Sequence, residues 1–184
     1  MTDGLRVERV STESWRTYRD VRLASLIDSP RAFWATYAEA AARTDEQWQE
    51  RVATTGPTWL AHDGDRPVGT VGLWHGDEQP ADEVFLVGMW VASVARGSGA
   101  ARALVETALA QAAASGWRRV VLDVAHENAR AWAFYVGMGF RPTGEVDAMP
   151  WDPSVTEETM VLDLPPAPGV HPPELPVGAD RMGE

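Results

Sequence analysis

The spacing of apolar positions changes repeatedly along the chain and predicts alternating helices and strands. A helix with one apolar face follows a capping Ser11 or Thr12, and a second helical stretch runs from Phe33 to about Val52, after the break at Ser29-Pro30. Two more helices are predicted, one with an apolar stripe from residue 101 to residue 112 and one over residues 128–138. The strand-like segments are residues 5–10, 58–62, 68–74, 84–92, 119–125, 140–146 and 157–164.

Two of these strands are apolar without alternation, which is typical of strands that are covered on both faces. They are residues 84–92 and 119–125, and they indicate the centre of the sheet. The mixture of hairpin-like and helix-connected strands predicts an α/β fold with a mixed sheet and helices on both faces.

Chain length and composition suggest one folded domain over residues 1–164. Six prolines fall between residue 165 and residue 184, which predicts a disordered or extended tail. The longest apolar run, residues 84–95, is too short to cross a membrane, and the first residues do not resemble a signal peptide. A cytoplasmic protein without membrane association is therefore expected.

Charge narrows the classes of partner. The net charge of −11 argues against a general nucleic-acid binder, because no basic surface is available to neutralise phosphates, and it favours a cationic partner. The chain has no cysteine, which excludes disulfides, thiolate metal sites and a cysteine nucleophile. No metal site is predicted.

A glycine-rich turn joins the apolar strand 84–92 to the helix that follows. It reads Arg96-Gly97-Ser98-Gly99-Ala100-Ala101. Such a turn exposes backbone N–H groups at the positive end of a helix dipole and can hold phosphates, and Arg96 adds a positive charge. A plain tight turn with a surface arginine explains the same residues equally well. The spacing matches neither a nucleoside-triphosphate loop nor a dinucleotide-binding turn.

A second motif makes the pattern specific. After the turn, a helix and a strand, the chain reads Asn128-x-x-Ala131-x-x-x-Tyr135-x-x-x-Gly139-Phe140. Both motifs in this order and spacing resemble the GNAT acetyltransferase superfamily, over roughly residues 5–164. The resemblance implies the GNAT fold, in which a mixed, mostly antiparallel sheet is splayed at the cofactor cleft. It also implies acetyl-CoA as co-substrate and an N-acetyltransferase activity.

The resemblance assigns roles to residues of both motifs. Backbone amides of residues 96–101 would bind the CoA pyrophosphate, and the backbone around Met89, Trp90 and Val91 would pair with the pantetheine arm. One of those amides would also polarise the thioester carbonyl. Asn128 would contact pantetheine or cap its helix, and Tyr135 would protonate the departing thiolate or simply pack in the core.

An amine acceptor has to lose a proton, and Asp123 is the first candidate base. It is the one acid in an otherwise apolar strand, where a carboxylate is costly unless it is paired or faces a cavity. A salt bridge or a backbone contact is the open alternative. Glu83 is the second candidate, and His75 and His126 follow, although their flanking residues suggest plain surface histidines.

The acceptor side is expected from the first two helices and nearby loops. An aromatic wall of Phe33, Trp34, Tyr37 and Trp74 could hold a cation or a ring, although aromatics at helical spacing are also ordinary core residues. A small cationic amine or antibiotic is the expected acceptor, and it would take the acetyl group by direct attack on acetyl-CoA in a ternary complex. A protein or peptide acceptor and a non-catalytic acyl-CoA-binding module remain alternatives, and a homodimer stays open.

Overall fold

The computed structural model describes residues 4–165. Seven strands form one sheet. They are β1 (Leu5–Arg9), β2 (Thr58–Asp63), β3 (Arg66–Trp74), β4 (Glu83–Val91), β5 (Arg119–Ala125), β6 (Arg141–Met149) and β7 (Asp152–Asp163). The helices are α1 (Trp15–Asp28), α2 (Tyr37–Ala41), α3 (Asp45–Thr54), α4 (Ala100–Ala114) and α5 (Ala129–Gly137), with short 3-10 turns at Pro30–Ala32 and Ser93–Ala95.

The sheet has the strand order β1-β2-β3-β4-β5-β7-β6. Every neighbouring pair is antiparallel except β4 and β5, which run parallel. The predicted α/β class and the mixed, mostly antiparallel sheet are therefore confirmed.

The parallel pair is also where the sheet opens. Strands β4 and β5 are registered over three residues only, from Glu83 opposite Arg119 to Phe85 opposite Val121. Beyond that point β4 contains an extra residue relative to β3, and Gly88 within this bulge has a φ of 61° that favours glycine. The two central strands consequently diverge towards their C-terminal ends.

Helices cover both faces of the sheet. On one face, α4 buries Leu104, Val105 and Ala108 against the central strands, and Tyr135 of α5 joins the same core. On the other face, α1 and α3 bury Trp15, Tyr18 and Trp48 in a second core. The open gap between β4 and β5 thus connects two separately packed layers.

The second predicted helix is wrong in its extent. Residues 33–36 do not continue a helix, since Phe33 has an extended backbone with φ −136° and ψ 151°. Thr36 and Thr44 each form a capping box, so that two helices begin where one was expected. The first helix likewise starts at Trp15, after a turn, and not directly after Ser11 or Thr12.

The remaining elements agree with the predicted ones within a few residues, although β6 and β7 are longer than expected. The predicted tail at 165–184 lies outside the described residues except for Pro165. Within residues 4–165, none of the helices has the length and apolar character needed to cross a membrane.

Candidate active site

Two cavities meet where β4 and β5 separate. The larger has a volume of about 490 Å³ and lies beside the turn that begins α4. The smaller has a volume of about 110 Å³ and reaches from the gap towards β7. Six residues line both cavities, which makes the pair one continuous cleft: Ala32, Phe33, Met89, Asn128, Ala131 and Tyr135.

The turn before α4 has the features of a phosphate cradle. Gly97 and Gly99 have φ values of 90° and 95°, and a Cβ on either would meet no atom within 4 Å. Among the predicted turn residues, Arg96, Gly97, Gly99 and Ala101 line the larger cavity. The space in front of both glycines is therefore open for a ligand that approaches the backbone closely.

The backbone amides of this turn divide into two groups. The N–H groups of Ser98 and Ala100 donate to Ala95 O and Ser98 Oγ, at 3.2 and 3.3 Å. Within residues 4–165, the hydrogen bonds of the turn use none of the N–H groups of Gly97, Gly99 and Ala101. These amides stand at the positive end of the α4 dipole, which fits the charge of a pyrophosphate.

The side chain of Arg96 lies at the surface and is held in place by two contacts. Its guanidinium donates to Asp28 Oδ2 at 2.5 Å and, through Nε, to the carbonyl of Val91 at 3.1 Å. Trp90 Nε1 donates to the same Asp28 oxygen at 3.0 Å. Arg96 therefore connects the turn to α1 and to β4. Trp90 also lines the larger cavity.

Asn128 and Tyr135 lie at the junction of the cavities. Asn128 caps α5 by accepting the N–H of Ala131 at 3.2 Å, and it lines both cavities as well. Tyr135 is 7% exposed and its ring packs edge-on against Phe134 and Phe140. Burial raises the pKa of the Tyr135 phenol well above its ordinary value, so the hydroxyl stays protonated at neutral pH.

The smaller cavity has two carboxylates on adjacent strands. Asp123 lies in its wall and accepts a hydrogen bond from Thr159 Oγ1 at 2.7 Å. Glu157 also lines this cavity and is only 4% exposed. Trp34 Nε1 donates to Glu157 Oε1 at 2.6 Å. Burial, reinforced by the like charge of Asp147, raises the pKa of Glu157.

The expected aromatic wall is present in part. Phe33 lines both cavities and Trp34 lines the smaller one. Two sets of hydrogen bonds hold this segment in place. Trp151 Nε1 donates to Phe33 O at 2.8 Å, and Arg31 donates to Glu127 at 2.7 and 3.1 Å.

Three predicted residues lie away from the cleft. Tyr37 is 45% exposed and lines neither cavity, whereas Trp74 is buried with Phe85 and Val121. Glu83 lies at the opposite end of β4 from Met89, with its carboxylate 3.6 Å from Arg119, and lines neither cavity. Burial raises the pKa of Glu83, but its position separates it from the other candidates.

The two candidate histidines are also outside both cavities. His75 Nδ1 bonds to Glu83 O, and His126 contacts Thr156 and Glu158. Among residues 4–165, no group of three or more His, Asp or Glu side chains is arranged to hold a metal ion.

Sequence reasoning missed three residues that lie in the cleft or contact one of its residues. Glu157 stands in the polar run Thr156-Glu157-Glu158, which looks like an exposed strand, although alternation requires one of two adjacent glutamates to face inwards. Asp28 is the last residue of α1, and nothing in the neighbouring sequence indicates that it pairs with Arg96. Arg130 lines the larger cavity and lies two residues after Asn128, within the second motif.

Comparison with known proteins identifies the family of the chain. Residues 14–140 match the model of the acetyltransferase (GNAT) family. The chain is 39% identical over 89 residues to N-acetyltransferase 8B of Rattus norvegicus, which covers 47% of this chain and 40% of that protein. It is 33% identical over 117 residues to N-acetyltransferase 8B of Homo sapiens, which covers 61% of this chain and 52% of that protein. The matches thus span about half the length of these relatives.

Solved structures share the fold. A GCN5-related N-acetyltransferase from Kribbella flavida superposes with a TM-score of 0.70 at 23% identity, over 89% of this chain and all (100%) of that chain. An acetyltransferase from Salmonella typhimurium, solved with its cofactor acetyl-CoA, superposes with a TM-score of 0.68 at 14% identity, over 91% of this chain and 98% of that chain. At these identities the likeness concerns the fold.

Proposed function

Since this chain belongs to the acetyltransferase (GNAT) family, we propose that its two cavities hold acetyl-CoA and a primary amine together and that the acetyl group passes directly between them. The observation that carries this proposal is the set of residues common to both cavities, with Tyr135 among them. A thioester placed at that junction is within reach of groups from both sides of the sheet.

The larger cavity is the proposed site of acetyl-CoA. The amides of Gly97, Gly99 and Ala101 would hold its pyrophosphate, and Arg130 and Arg102 on the cavity wall would add positive charge. Beyond Phe85, the backbone of β4 has no pairing with β5, so it can pair with the pantetheine arm as if with an added strand. Acetyl-CoA supplies the activated acetyl group.

The smaller cavity is the proposed site of the amine. Asp123 accepts a proton from the ammonium form, and the neutral nitrogen attacks the thioester carbon. A backbone amide of residues 89–91 donates to the oxygen on which negative charge develops. The C–N bond forms and the C–S bond breaks.

Tyr135 completes the proton balance. Its hydroxyl gives a proton to the departing thiolate, and it regains one from the nitrogen, directly or through water. The products are the N-acetylated amine and CoA, and the proton held by Asp123 returns to solvent. In this scheme Glu83 has no part, because it lies outside both cavities.

A small amine is the acceptor that the cavity favours. Its volume of about 110 Å³ is below that of a cavity that binds benzene, which is about 150 Å³. An ammonium group with a few carbon atoms fits inside, while a bulkier remainder has to stay at the mouth beside Phe33 and Trp34.

The test is acceptor-dependent release of free thiol from acetyl-CoA. Alkylamines, arylamines, polyamines, aminoglycosides, amino acids and basic peptides are assayed separately with the purified chain. Thiol release with a small amine, and N-acetylation of that amine by mass spectrometry, supports the proposal. Acetyl-CoA binding without thiol release from any class would favour a binding module, and release with peptides alone would reject the small-amine acceptor.

A further inference from the structure

Glu157 is a buried carboxylate without an ion-pair partner among the residues that the structure describes. It is 4% exposed, and among residues 4–165 no arginine or histidine forms an ion pair with it. A desolvated carboxylate is costly unless a positive group compensates it. Among residues 4–165, its hydrogen-bond donor is the neutral indole of Trp34, which occupies Oε1. Within the described part of the chain, the second oxygen is therefore left to the cavity that Glu157 lines.

The position of Glu157 relative to Asp123 follows from strand register. Asp123 pairs with Thr159 and Ala125 pairs with Glu157, so both carboxylates are on the same face of the sheet. They form a diagonal cross-strand pair, for which the spacing is about 7 Å. That separation leaves room for one ammonium nitrogen between them, in a cavity that opens onto Tyr135.

The charges on the neighbouring strand also favour a cation. Asp147 is opposite Glu157 across β6 and β7 and adds a further negative charge. On the segment that covers the cavity, Arg31 is committed to Glu127. One buried positive charge, the guanidinium of Arg22 on α1, lies behind the wall over the Phe33 ring at 4.5 Å, without an ion pair to Glu157. Phe33, Leu122 and Ala125 add apolar surface to the wall.

We infer that Glu157 binds the ammonium group of the acceptor and thereby selects amines carried on a saturated carbon, which are protonated at neutral pH. This inference rests on the proposed function, because it assigns the acceptor side of the same cleft. Glu157 holds the nitrogen through Oε2 while Trp34 fixes the orientation of the carboxylate, and Asp123 removes the proton. An arylamine, whose nitrogen is uncharged at pH 7, gains nothing from Glu157.

The turnover test compares benzylamine with O-benzylhydroxylamine in wild type and Glu157→Gln, because the second nitrogen also stands on an arm outside the ring but is uncharged at pH 7. Glutamine keeps the acceptor for Trp34 and removes only the charge, so KM for benzylamine should rise about 10- to 100-fold, the usual worth of a hydrogen bond to a charged group. KM for O-benzylhydroxylamine and for acetyl-CoA should stay within a few-fold. Glu158→Gln is the matched control, since that neighbouring side chain points away, towards His126, and should leave the benzylamine KM unchanged. An equal rise for both amines, or no rise for benzylamine, overturns the inference.

A binding measurement separates this inference from the proposed function. Calorimetric titration of benzylamine and of benzyl alcohol into the CoA-loaded protein reports recognition of the charge without requiring turnover. If benzylamine binds more tightly than the alcohol and Glu157→Gln removes the difference, the ammonium site stands even where no thiol is released. If wild type does not distinguish the two compounds, the ammonium site is refuted whatever the turnover.

Discussion

Replacing Tyr135 by phenylalanine tests the acid step of the proposed mechanism. The ring is fixed in the core by Phe134 and Phe140, with centroids 5.3 and 5.6 Å away. Phenylalanine preserves these contacts, so the stability should change by less than about 1 kcal/mol. Acetyl-CoA affinity should also be preserved, because the amides of the turn before α4, the proposed pyrophosphate site, are untouched.

The expected loss is in kcat. General acid catalysis contributes roughly 100- to 10,000-fold. The lower end applies here, because a phenol is already a weaker acid than a thiol of ordinary pKa, about 8.5, and burial weakens the acidity of Tyr135 further. Proton transfer to the thiolate is then completed only as the nitrogen loses its own proton. We therefore expect kcat to fall about 100-fold.

The assay is thiol release at saturating acetyl-CoA and benzylamine, with Tyr37→Phe as the matched control. Tyr37 is an exposed tyrosine outside both cavities, so the same loss of a hydroxyl should leave kcat unchanged. Because the pKa of Tyr135 is raised, wild-type kcat should show no loss of this acid up to about pH 10. A Tyr135→Phe enzyme with kcat within threefold of wild type would remove the phenol from the mechanism.

Three further predictions concern the base, the turn and alkaline stability. Asp123→Asn should lower thiol release most at neutral pH and recover as the pH approaches that at which the free amine is itself deprotonated; an unaltered pH–rate profile would exclude Asp123 as the base. Gly99→Ala should lower the free energy of unfolding by about 1–2 kcal/mol, because φ at this position is 95°, and should weaken acetyl-CoA binding more than tenfold in a calorimetric titration. As a control, Gly64→Ala in the β2–β3 turn should lower the free energy of unfolding without changing that affinity. Because the pKa of Tyr135 is raised in the folded state, the neutral phenol stabilises the fold fully below the unfolded pKa of about 10, and this contribution is lost as the pH rises above it. The urea midpoint of wild type should therefore fall more steeply above about pH 10 than that of Tyr135→Phe.

The parts predicted correctly from the sequence depend on local patterns. The apolar runs of β4 and β5 have no alternation, so they mark central strands wherever they occur. Asp123 could be singled out as a candidate because it interrupts one of them. The glycines of the turn before α4 could be found because a positive φ at Gly97 and Gly99 is a requirement of the backbone itself.

The parts that were missed depend on contacts between distant segments. The segment that contains Phe33 and Trp34 is extended because hydrogen bonds to Trp151 and Glu157, more than a hundred residues later, hold it there. Helical spacing alone could not reveal these bonds. Similarly, whether Glu157 or Glu158 faces inwards depends on the register of β7 against β5, since adjacent residues of a strand point to opposite faces.

One interruption in strand pairing explains why both cavities meet at the same place. Within the described chain, the register of β4 and β5 stops at Phe85 and Val121, while β5 continues to pair with β7 as far as Ala125. The facing edges beyond that point carry backbone polar groups that need partners. In the proposed mechanism an extended acyl-CoA arm would satisfy those of β4 on the α4 side, while on the α1 side the cavity lined by Asp123 and Glu157 would receive the amine. The same divergence would therefore bring the thioester and the nucleophile together from opposite faces of the sheet, which is the geometry that direct transfer requires.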